Sequence, residues 1–435
     1  MKKIKRKTFR RILYTIAMSI VALIVVTISR CSCNGCSHPS EDKEAVQAAT
    51  DIPIDTALKA RLHEFALRPR PDGKLAFQVY DLTADKPVYG LNDTLALPSA
   101  SCMKLISGIA GLHLLGTGYH YETSLYLRGR ISRATGTLEG DLTFKAGLDP
   151  QLMEADLHRF AKAAAQRGIK RINGRLIIDL AISQPVSSEE HWFPWDLTFS
   201  KYGLLFKGGE RVTRNLKAAF RAQGIAFRDS QVVAGLLPPG SRPIYHYRRS
   251  INPVIRRMWK NSSNTQATSL LYAIGQHADP QRSPTEAGID YLRQFVRQEL
   301  GISSPQISIH DGCGLCIHNR LSPQALNAAL RFGFRDSAIQ ASLLRNLAVT
   351  GREGTLAREM TGPLTRGRII AKTGTLSHPY GISSLAGFCQ TDDGHWMAFT
   401  IMDSEMSVLD ARVLQRRLCE AILRTKDKQK DNKHR

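Results

Sequence analysis

Two side chains in the run "LPSASCMKLIS" could do chemistry together: Ser101 and Lys104, three residues apart where an apolar helix begins. Positions i and i+3 share a helix face, so the ammonium of Lys104 can reach the hydroxyl of Ser101. A serine at a helix N-terminus also lies beside unpaired backbone N–H groups and the positive end of the dipole, which favour an oxyanion. The hydroxyl becomes a good nucleophile when a base takes its proton, and a lysine is a base only once it is neutral. Burial and a second cation nearby both lower a lysine pKa. Spacing alone discriminates poorly, because Ser40 and Lys43 repeat it in a polar stretch with nothing to act on. Two further clusters change the odds. Ser262, Ser263 and Asn264 open a helical run, and Lys372, Thr373 and Gly374 lie on a strand-like segment that supplies a second cation.

These residues need a frame. Lys74 to Leu82 alternates apolar and polar residues as a half-buried strand does, and "ADKPVYGLN" reads as its hairpin return. The helix that follows Ser101 ends at Gly116. From Tyr121 the texture changes. "YETSLYLRGRIS" and "GTLEGDLTFKAG" read as strands, and "MEADLHRFAKAAAQRGI" as a helix with Leu157, Phe160, Ala161 and Ala164 on one face and Gly168 at its C-cap. "GRLIIDLAI" is a buried strand, "ERVTRNLKAAFRAQGI" a helix and "PPGSRPIYHY" an exit loop. Residues 119–245 are therefore expected to form an inserted domain of sheet plus helices. Helical segments follow in "INPVIRRMWKNSSNTQATSLLYAIG", "AGIDYLRQFVRQELG" and "SPQALNAALRFGF". Strands return in "GRIIAKTGTL", "SSLAGFCQT" and "HWMAFTIMD", the last two joined by a turn at Asp392-Asp393-Gly394, before a final amphipathic helix. A hairpin at the start and a strand trio at the end imply one sheet built from both ends of the chain, an α+β fold.

Ser-x-x-Lys on a helix, then Ser-x-Asn, then Lys-Thr-Gly on a late strand resembles the signature of penicillin-binding proteins and serine β-lactamases. The segments "EGDLTFKAGLDPQL", "INGRLIIDLAI", "FPWDLTFSKYG", "DGCGLCIHNRLSP" and "TGREGTLAREM" narrow the likeness. From about Asp55 to about Leu423 the chain resembles the class C low-molecular-mass penicillin-binding proteins, the D-alanyl-D-alanine carboxypeptidase/endopeptidase family. The resemblance implies a serine β-lactamase/DD-peptidase-like domain, an antiparallel sheet flanked by helices, made of residues 55–118 and 246–424. It implies that Ser101 attacks the carbonyl between two terminal D-alanines, with Lys104 as base. Ser262 would relay a proton to the leaving amine, and Asn264 would hold Lys104 and the substrate amide. Lys372 with Thr373 would bind the substrate carboxylate, and Gly374 would let the backbone approach closely. The N–H groups of Ser101 and Thr375 would form an oxyanion hole. Asp149 would face the cleft from the insert, unless it simply shapes the turn before Pro150. The implied partners are peptidoglycan stem peptides, with β-lactam antibiotics acylating the same serine, and neither metal nor cofactor is expected.

Two departures stand out. The insert is short, the chain running from "SKYGLLFKGG" straight into the helix at Glu210, and Cys313 and Cys316 stand where relatives carry serines. Among other readings, a β-lactamase is disfavoured because no E-x-x-L-N-like deacylating motif follows Asn264 in this chain. A non-catalytic wall-binding module would not need all five polar motif residues intact.

The net charge of +22 suggests a nucleic-acid partner until it is located. Residues 1–11 carry seven Lys/Arg and no acid, and the tail from Arg424 carries six basic and two acidic residues, so half of the excess sits at the ends. Ile12 to Ser29 is free of charge and nearly long enough to span a hydrocarbon core, and the basic flank holds the N-terminus in the cytoplasm. Residues 1–36 are therefore expected to be a membrane anchor, with signal cleavage or lipidation at Cys31 or Cys36 as the alternative. Residues 37–54 read as a linker and 425–435 as a basic tail. The body is then exported to the periplasmic side of the cell envelope, away from nucleic acid. Cys33/Cys36 and Cys313/Cys316 are CxxC pairs too far apart, and too poor in nearby histidine, to suggest zinc. Cys102 points to a different helix face from Ser101, His378 reads as an incidental loop residue, and Trp192 and Trp195 as packing.

Overall fold

The computed structural model describes residues 53–424 apart from 188–191, 193–201 and 378–380. The expected anchor, linker and basic tail, with Cys31, Cys33, Cys36, Trp195 and His378, lie outside the described residues. Helix α1 (Thr56–Leu67) starts at Asp55, whose carboxylate accepts from the Ala57 N–H at 2.8 Å. Strands β1 (Lys74–Asp81) and β2 (Lys86–Leu91) form the expected hairpin. A two-residue strand β3 (Leu97–Pro98) leads into a 3-10 turn, Ala100–Cys102, and then helix α2 (Met103–Leu115), which stops at Gly116 with φ +79°.

The insert comprises β4 (His120–Ile131), β5 (Thr137–Ala146), α3 (Leu157–Gln166), β6 (Arg171–Ile172), β7 (Leu176–Leu180), α4 (Gly209–Ala222), β8 (Val232–Ala234) and β9 (Arg242–Ser250). Its sheet order is β8-β7-β5-β4-β9, parallel through β8, β7 and β5 and antiparallel through β5, β4 and β9. Two expectations are corrected here. "PPGSRPIYHY" is no exit loop, because its second half is β9, paired with β4 from Leu127↔Arg242 to His120↔Ser250. The boundary at 245 cuts this strand, so the inserted sheet closes at Ser250. From Pro53 the chain forms one compact unit, and a single apolar cluster runs from Ile106 and Leu270 through Tyr121 and Phe144 to Leu216.

Helices α5 (Ile251–Lys260), α6 (Asn264–Ala278) and α7 (Pro284–Gln298) follow. The run "INPVIRRMWKNSSNTQATSLLYAIG", expected as one helical segment, breaks at 261–263, where Ser262 takes a left-handed φ of +58°. Then come β10 (Arg320–Leu321), α8 (Pro323–Arg335), α9 (Ser337–Asn346) and β11 (Ala348–Val349). The chain closes with β12 (Ile369–Leu376), β13 (Ile382–Gln390), β14 (Trp396–Ser404) and α10 (Val408–Leu423). The main sheet has the order β11-β12-β13-β14-β1-β2, and every adjacent pair is antiparallel. The two chain ends meet where β1 pairs β14, from Lys74↔Ser404 to Asp81↔Met397. Successive side chains of a strand point to opposite faces. Ala76, Ala386 and Met402 accordingly join the cluster around α2, whereas Phe77, Leu385 and Phe399 join a second cluster with Leu62 of α1 and Leu414 of α10. A sheet covered on both faces explains why β13 and β14 are buried almost throughout.

Asp403 breaks that pattern. It is fully buried on β14, and its Oδ2 accepts only a long 3.3 Å bond from Gln415 Nε2. Its Oδ1 has no hydrogen-bond partner among the described residues. Burial pushes its carboxyl up to about 8. The folded protein thus keeps a proton that the unfolded chain releases above about pH 4. Stability is lost as pH rises between those values, by up to about 1.4 kcal/mol per pH unit. Asp403→Asn, which mimics the neutral acid, should raise the melting temperature at pH 7–8 and leave it unchanged near pH 4. Equal melting temperatures at both pH values would refute a protonated Asp403.

Candidate active site

The 3-10 turn and the first turn of α2 present Ser101 and Lys104 on one face, as the spacing requires. Ala100, just before Ser101, has φ +43°, so the residues on both sides of the cleft, Ala100 and Ser262, hold a left-handed backbone without being glycine. Such conformations cost on the order of 1–3 kcal/mol and persist only where the surroundings enforce them. Lys104 is fully buried, and its Nζ lies 2.8 Å from Ser101 Oγ, 2.7 Å from Asn264 Oδ1 and 2.5 Å from the carbonyl oxygen of Cys313. Two of these three partners, an amide oxygen and a backbone carbonyl, can only accept. A neutral Lys104 amine keeps its two N–H bonds to them, and its lone pair then faces the one partner that carries a proton, Ser101. Burial lowers the Lys104 pKa, against the opposing pull of Cys313 and Asp311.

Lys372 on β12 is also fully buried, with its Nζ 2.8 Å from Ser262 Oγ and 2.6 Å from the carbonyl of Thr373. Burial, then the Lys104 cation, pulls its pKa down to about 7. The break between α5 and α6 thus places Ser262 against one lysine and Asn264 against the other. Gly374 has no room for a side chain. A Cβ there would stand 2.2 Å from Ser384 Oγ and 2.8 Å from the Ser99 carbonyl, so β12 closes onto the turn that carries Ser101 only as glycine. Ser101, Ser262, Thr373 and Thr375 line one cleft. Asp149 does not join them. It is fully buried in the insert, its two oxygens each 2.9 Å from Arg249 Nε and one also accepting the Gln151 N–H, so the turn-shaping reading fits and the substrate-contact reading does not.

The Asp311–Cys316 loop, singled out in the sequence only for its cysteines, is the scaffold of the centre. Asp311 Oδ1 accepts from the N–H groups of Cys313 and Gly314 and from Asn319 Nδ2, and Oδ2 accepts from the Cys316 N–H and Trp192 Nε1. That web aims the Cys313 carbonyl at Lys104, while Ser107 Oγ donates to the Gly312 carbonyl at 2.6 Å. Trp192 is buried, as expected of a packing residue, and ties the insert to this loop. Cys102, Cys313, Cys316, Cys389 and Cys419 are all buried. Burial raises the Cys102 and Cys313 pKa values, which makes them poor thiolates. Trp259, whose Nε1 donates to the Lys104 carbonyl at 2.7 Å, and Thr355, which accepts from Thr373 Oγ1 at 2.8 Å, gave no signal beyond their place in quoted segments.

The model of the D-Ala-D-Ala carboxypeptidase 3 (S13) family matches residues 58–202 and 205–423. The chain belongs to this family. It is a serine hydrolase of the D-Ala-D-Ala carboxypeptidase/endopeptidase class that acts on peptidoglycan. It is 21% identical to the D-alanyl-D-alanine carboxypeptidase DacB of Haemophilus influenzae, covering 76% of this chain and 85% of that one. To a D-alanyl-D-alanine carboxypeptidase of Actinomadura sp. (strain R39) it is 22% identical, covering 75% and 77%. The crystal structure of penicillin-binding protein 4 from Haemophilus influenzae superposes with a TM-score of 0.68 at 19% identity, covering 83% of this chain and 97% of that one. A predatory peptidoglycan endopeptidase from Bdellovibrio bacteriovorus superposes at 0.56 and 14% identity, covering 80% and 92%. The S13 membership and these superpositions bear out the α+β DD-peptidase-like fold expected from the motifs.

Proposed function

We propose that this S13 protein cleaves the bond after the penultimate D-alanine of peptidoglycan stem peptides through an acyl-enzyme on Ser101. Lys104 takes the Ser101 proton as Oγ attacks the carbonyl carbon. The N–H groups of Ser101 and Thr375 hold the oxyanion, and Asn264 steadies Lys104 and the substrate amide. The C–N bond then breaks, and the proton passes through Ser262 to the leaving amine, whose carboxylate rests on Lys372 and Thr373. Water hydrolyses the ester and regenerates Ser101. The observation that supports this reading is the triad of contacts at Lys104 Nζ: once Lys104 is neutral, Asn264 Oδ1 and the Cys313 carbonyl take its two N–H groups and its lone pair faces Ser101. We place the reaction on the outer face of the membrane, with the charge-free run Ile12 to Ser29, behind its basic N-terminal flank, as anchor.

Mass mapping of the full chain treated with a fluorescent penicillin tests both parts. The adduct should lie on the peptide that contains Ser101, and the labelled protein should sediment with membranes. An adduct on Ser40 or Ser262, or none, would refute the nucleophile. A soluble, shortened labelled protein would refute the anchor.

A further inference from the structure

The inserted sheet ends in a cluster of cations remote from the cleft. Arg133 lies in the β4–β5 turn, which closes with the Gly136 N–H donating to the Ser132 carbonyl at 2.8 Å. The Gly136 carbonyl accepts the N–H groups of Lys170 and Arg171 at 2.8 and 3.3 Å, and a Cβ on Gly136 would stand 2.8 Å from Lys170 Cγ. Arg167 ends α3 just before them. Arg171 of β6 is bridged to Ala226, whose N–H donates to the Lys170 carbonyl at 2.9 Å, and Arg228 follows close behind. Arg133, Arg167, Lys170, Arg171 and Arg228 are all exposed.

The acids at this end are taken by other partners. Glu139 accepts from Asn173 Nδ2 at 2.6 Å, Asp141 pairs with Arg175 at 3.0 Å, and Asp229 pairs with Lys217 and Arg221, each at 2.8 Å. Among the described residues, none of the cations in the cluster forms an ion pair. Ordinary surfaces intersperse both signs, whereas a one-signed cluster repels itself and attracts polyanions. The cluster is also far from the chemistry. β5 starts at this tip with Thr137 and runs 10 residues to Ala146, roughly 30 Å at about 3.3 Å per residue. Beyond Ala146 the chain reaches Gln151, whose Nε2 donates at 3.2 Å to Gln266 Oε1, on the same helix as Asn264. The strand thus separates the cluster from the cleft by its whole length.

We infer that the tip of the insert is a second, non-catalytic hold on polymeric peptidoglycan, binding carboxylates of stems other than the one being cut. Peptidoglycan repeats its stem peptides along the polymer, and each uncut stem ends in a carboxylate. The cations cannot reach the reacting bond, so a single stem in the cleft leaves them unused. A polymer engages both places at once, and the second contact then forms at a high effective concentration. The tip and α1 lie on opposite sides of the main sheet: Leu62 of α1 packs in the second apolar cluster, whereas the insert joins the cluster around α2. The end of the chain read as the anchor therefore leaves from the far side, which favours the wall over a lipid surface as the occupant.

This inference rests on the reading of peptidoglycan stems as substrate, and the test separates the two. The full chain, as wild type and as the triple variant Arg133→Gln, Lys170→Gln, Arg228→Gln, is reconstituted in nanodiscs of neutral lipid. Each is treated with penicillin to block the cleft and sedimented with purified peptidoglycan sacculi, with sacculi whose carboxylates are amidated, and with phosphatidylglycerol vesicles. Untreated samples give kcat/KM on a monomeric pentapeptide. The variant should bind sacculi about tenfold or more weakly than wild type, and amidation or high salt should remove the difference. Pentapeptide turnover should be equal in both, because these exposed side chains lie outside the cleft. Equal binding of the two proteins to sacculi, or a difference that survives amidation, overturns the hold. Wild-type binding to vesicles and not to sacculi also overturns it, and makes the tip a lipid contact. Absence of pentapeptide turnover in the wild type overturns the substrate reading instead, while sacculus binding still reads the tip. Should the triple variant not fold, Arg133→Gln alone, in an exposed turn, must weaken sacculus binding about twofold or more; no loss there overturns the proposal.

Discussion

Lys104→Arg should slow penicillin acylation by about 10³–10⁶-fold at every pH the fold survives, the size of loss seen when a unit of interacting catalytic groups is broken. Arginine keeps the charge, but its guanidinium does not give up a proton in this range, so no base faces Ser101. Lys372→Arg should keep partial activity, because a guanidinium can still receive a carboxylate, and the damage should fall mainly on substrate binding. The pH profiles separate the two lysines. Both ammonium groups are buried and both are pulled down, Lys372 to about 7 with the Lys104 cation adding to the effect of burial. The pair should therefore lose its first proton far below the usual lysine value of ~10.4, and that step belongs to the pair rather than to either member. Wild-type acylation should rise as pH increases through this step. If Lys104 is the base, the rise survives in Lys372→Arg, whose fixed cation still depresses Lys104, and vanishes in Lys104→Arg. A profile that keeps its rise in Lys104→Arg and loses it in Lys372→Arg would assign the base to Lys372 instead.

What could be read in the sequence follows from where the information sits. Ser101, Lys104, Ser262, Asn264 and Lys372 lie up to 271 positions apart in the chain, yet each is a reactive side chain at a fixed spacing from another, and the structure brings all five together. The third partner of Lys104 could not be read this way. It is a backbone carbonyl, that of Cys313, and carbonyls have no residue type. Strand β9 was hidden for another reason. As the edge strand of the inserted sheet it is nowhere fully buried, so "RPIYHYRRS" shows no apolar run, and its proline and arginines resemble a loop. Asp149 shows the limit of local context. A turn aspartate before proline looks the same whether it faces solvent, substrate or, as here, an arginine 100 residues onward. The break at Ser262 interrupts an apolar stripe that continues on both sides, and a left-handed serine leaves no trace in a hydrophobic pattern.

The second large effect is expected at a residue with no functional group. Gly314 has φ +80°, and a Cβ there would stand 1.9 Å from the Ala100 carbonyl oxygen and 3.0 Å from the Ser101 nitrogen. Backbone lies on both sides of that contact, so Gly314→Ala must push the Asp311–Cys316 loop away from the turn that carries Ser101. Two parts of the centre then move at once: the Ser101 N–H assigned to the oxyanion, and the Cys313 carbonyl that orients Lys104. Displacements of about 1 Å around reacting groups cost about 10²-fold, and loss of one oxyanion donor costs about 10²–10³-fold. Acylation by penicillin should fall by at least that factor, with a lowered melting temperature. The left-handed backbone is itself unfavourable for alanine, by roughly 1–2 kcal/mol, which would destabilise the fold without touching the centre. Gly301→Ala isolates that contribution, because Gly301 has φ +66° and nothing within 4 Å of its would-be Cβ. It should lower the melting temperature modestly and acylate at the wild-type rate. If Gly314→Ala, folded and assayed beside Gly301→Ala, acylates equally fast, the loop does not position Ser101 and Lys104, and the Cys313 carbonyl is a bystander to the proton transfer.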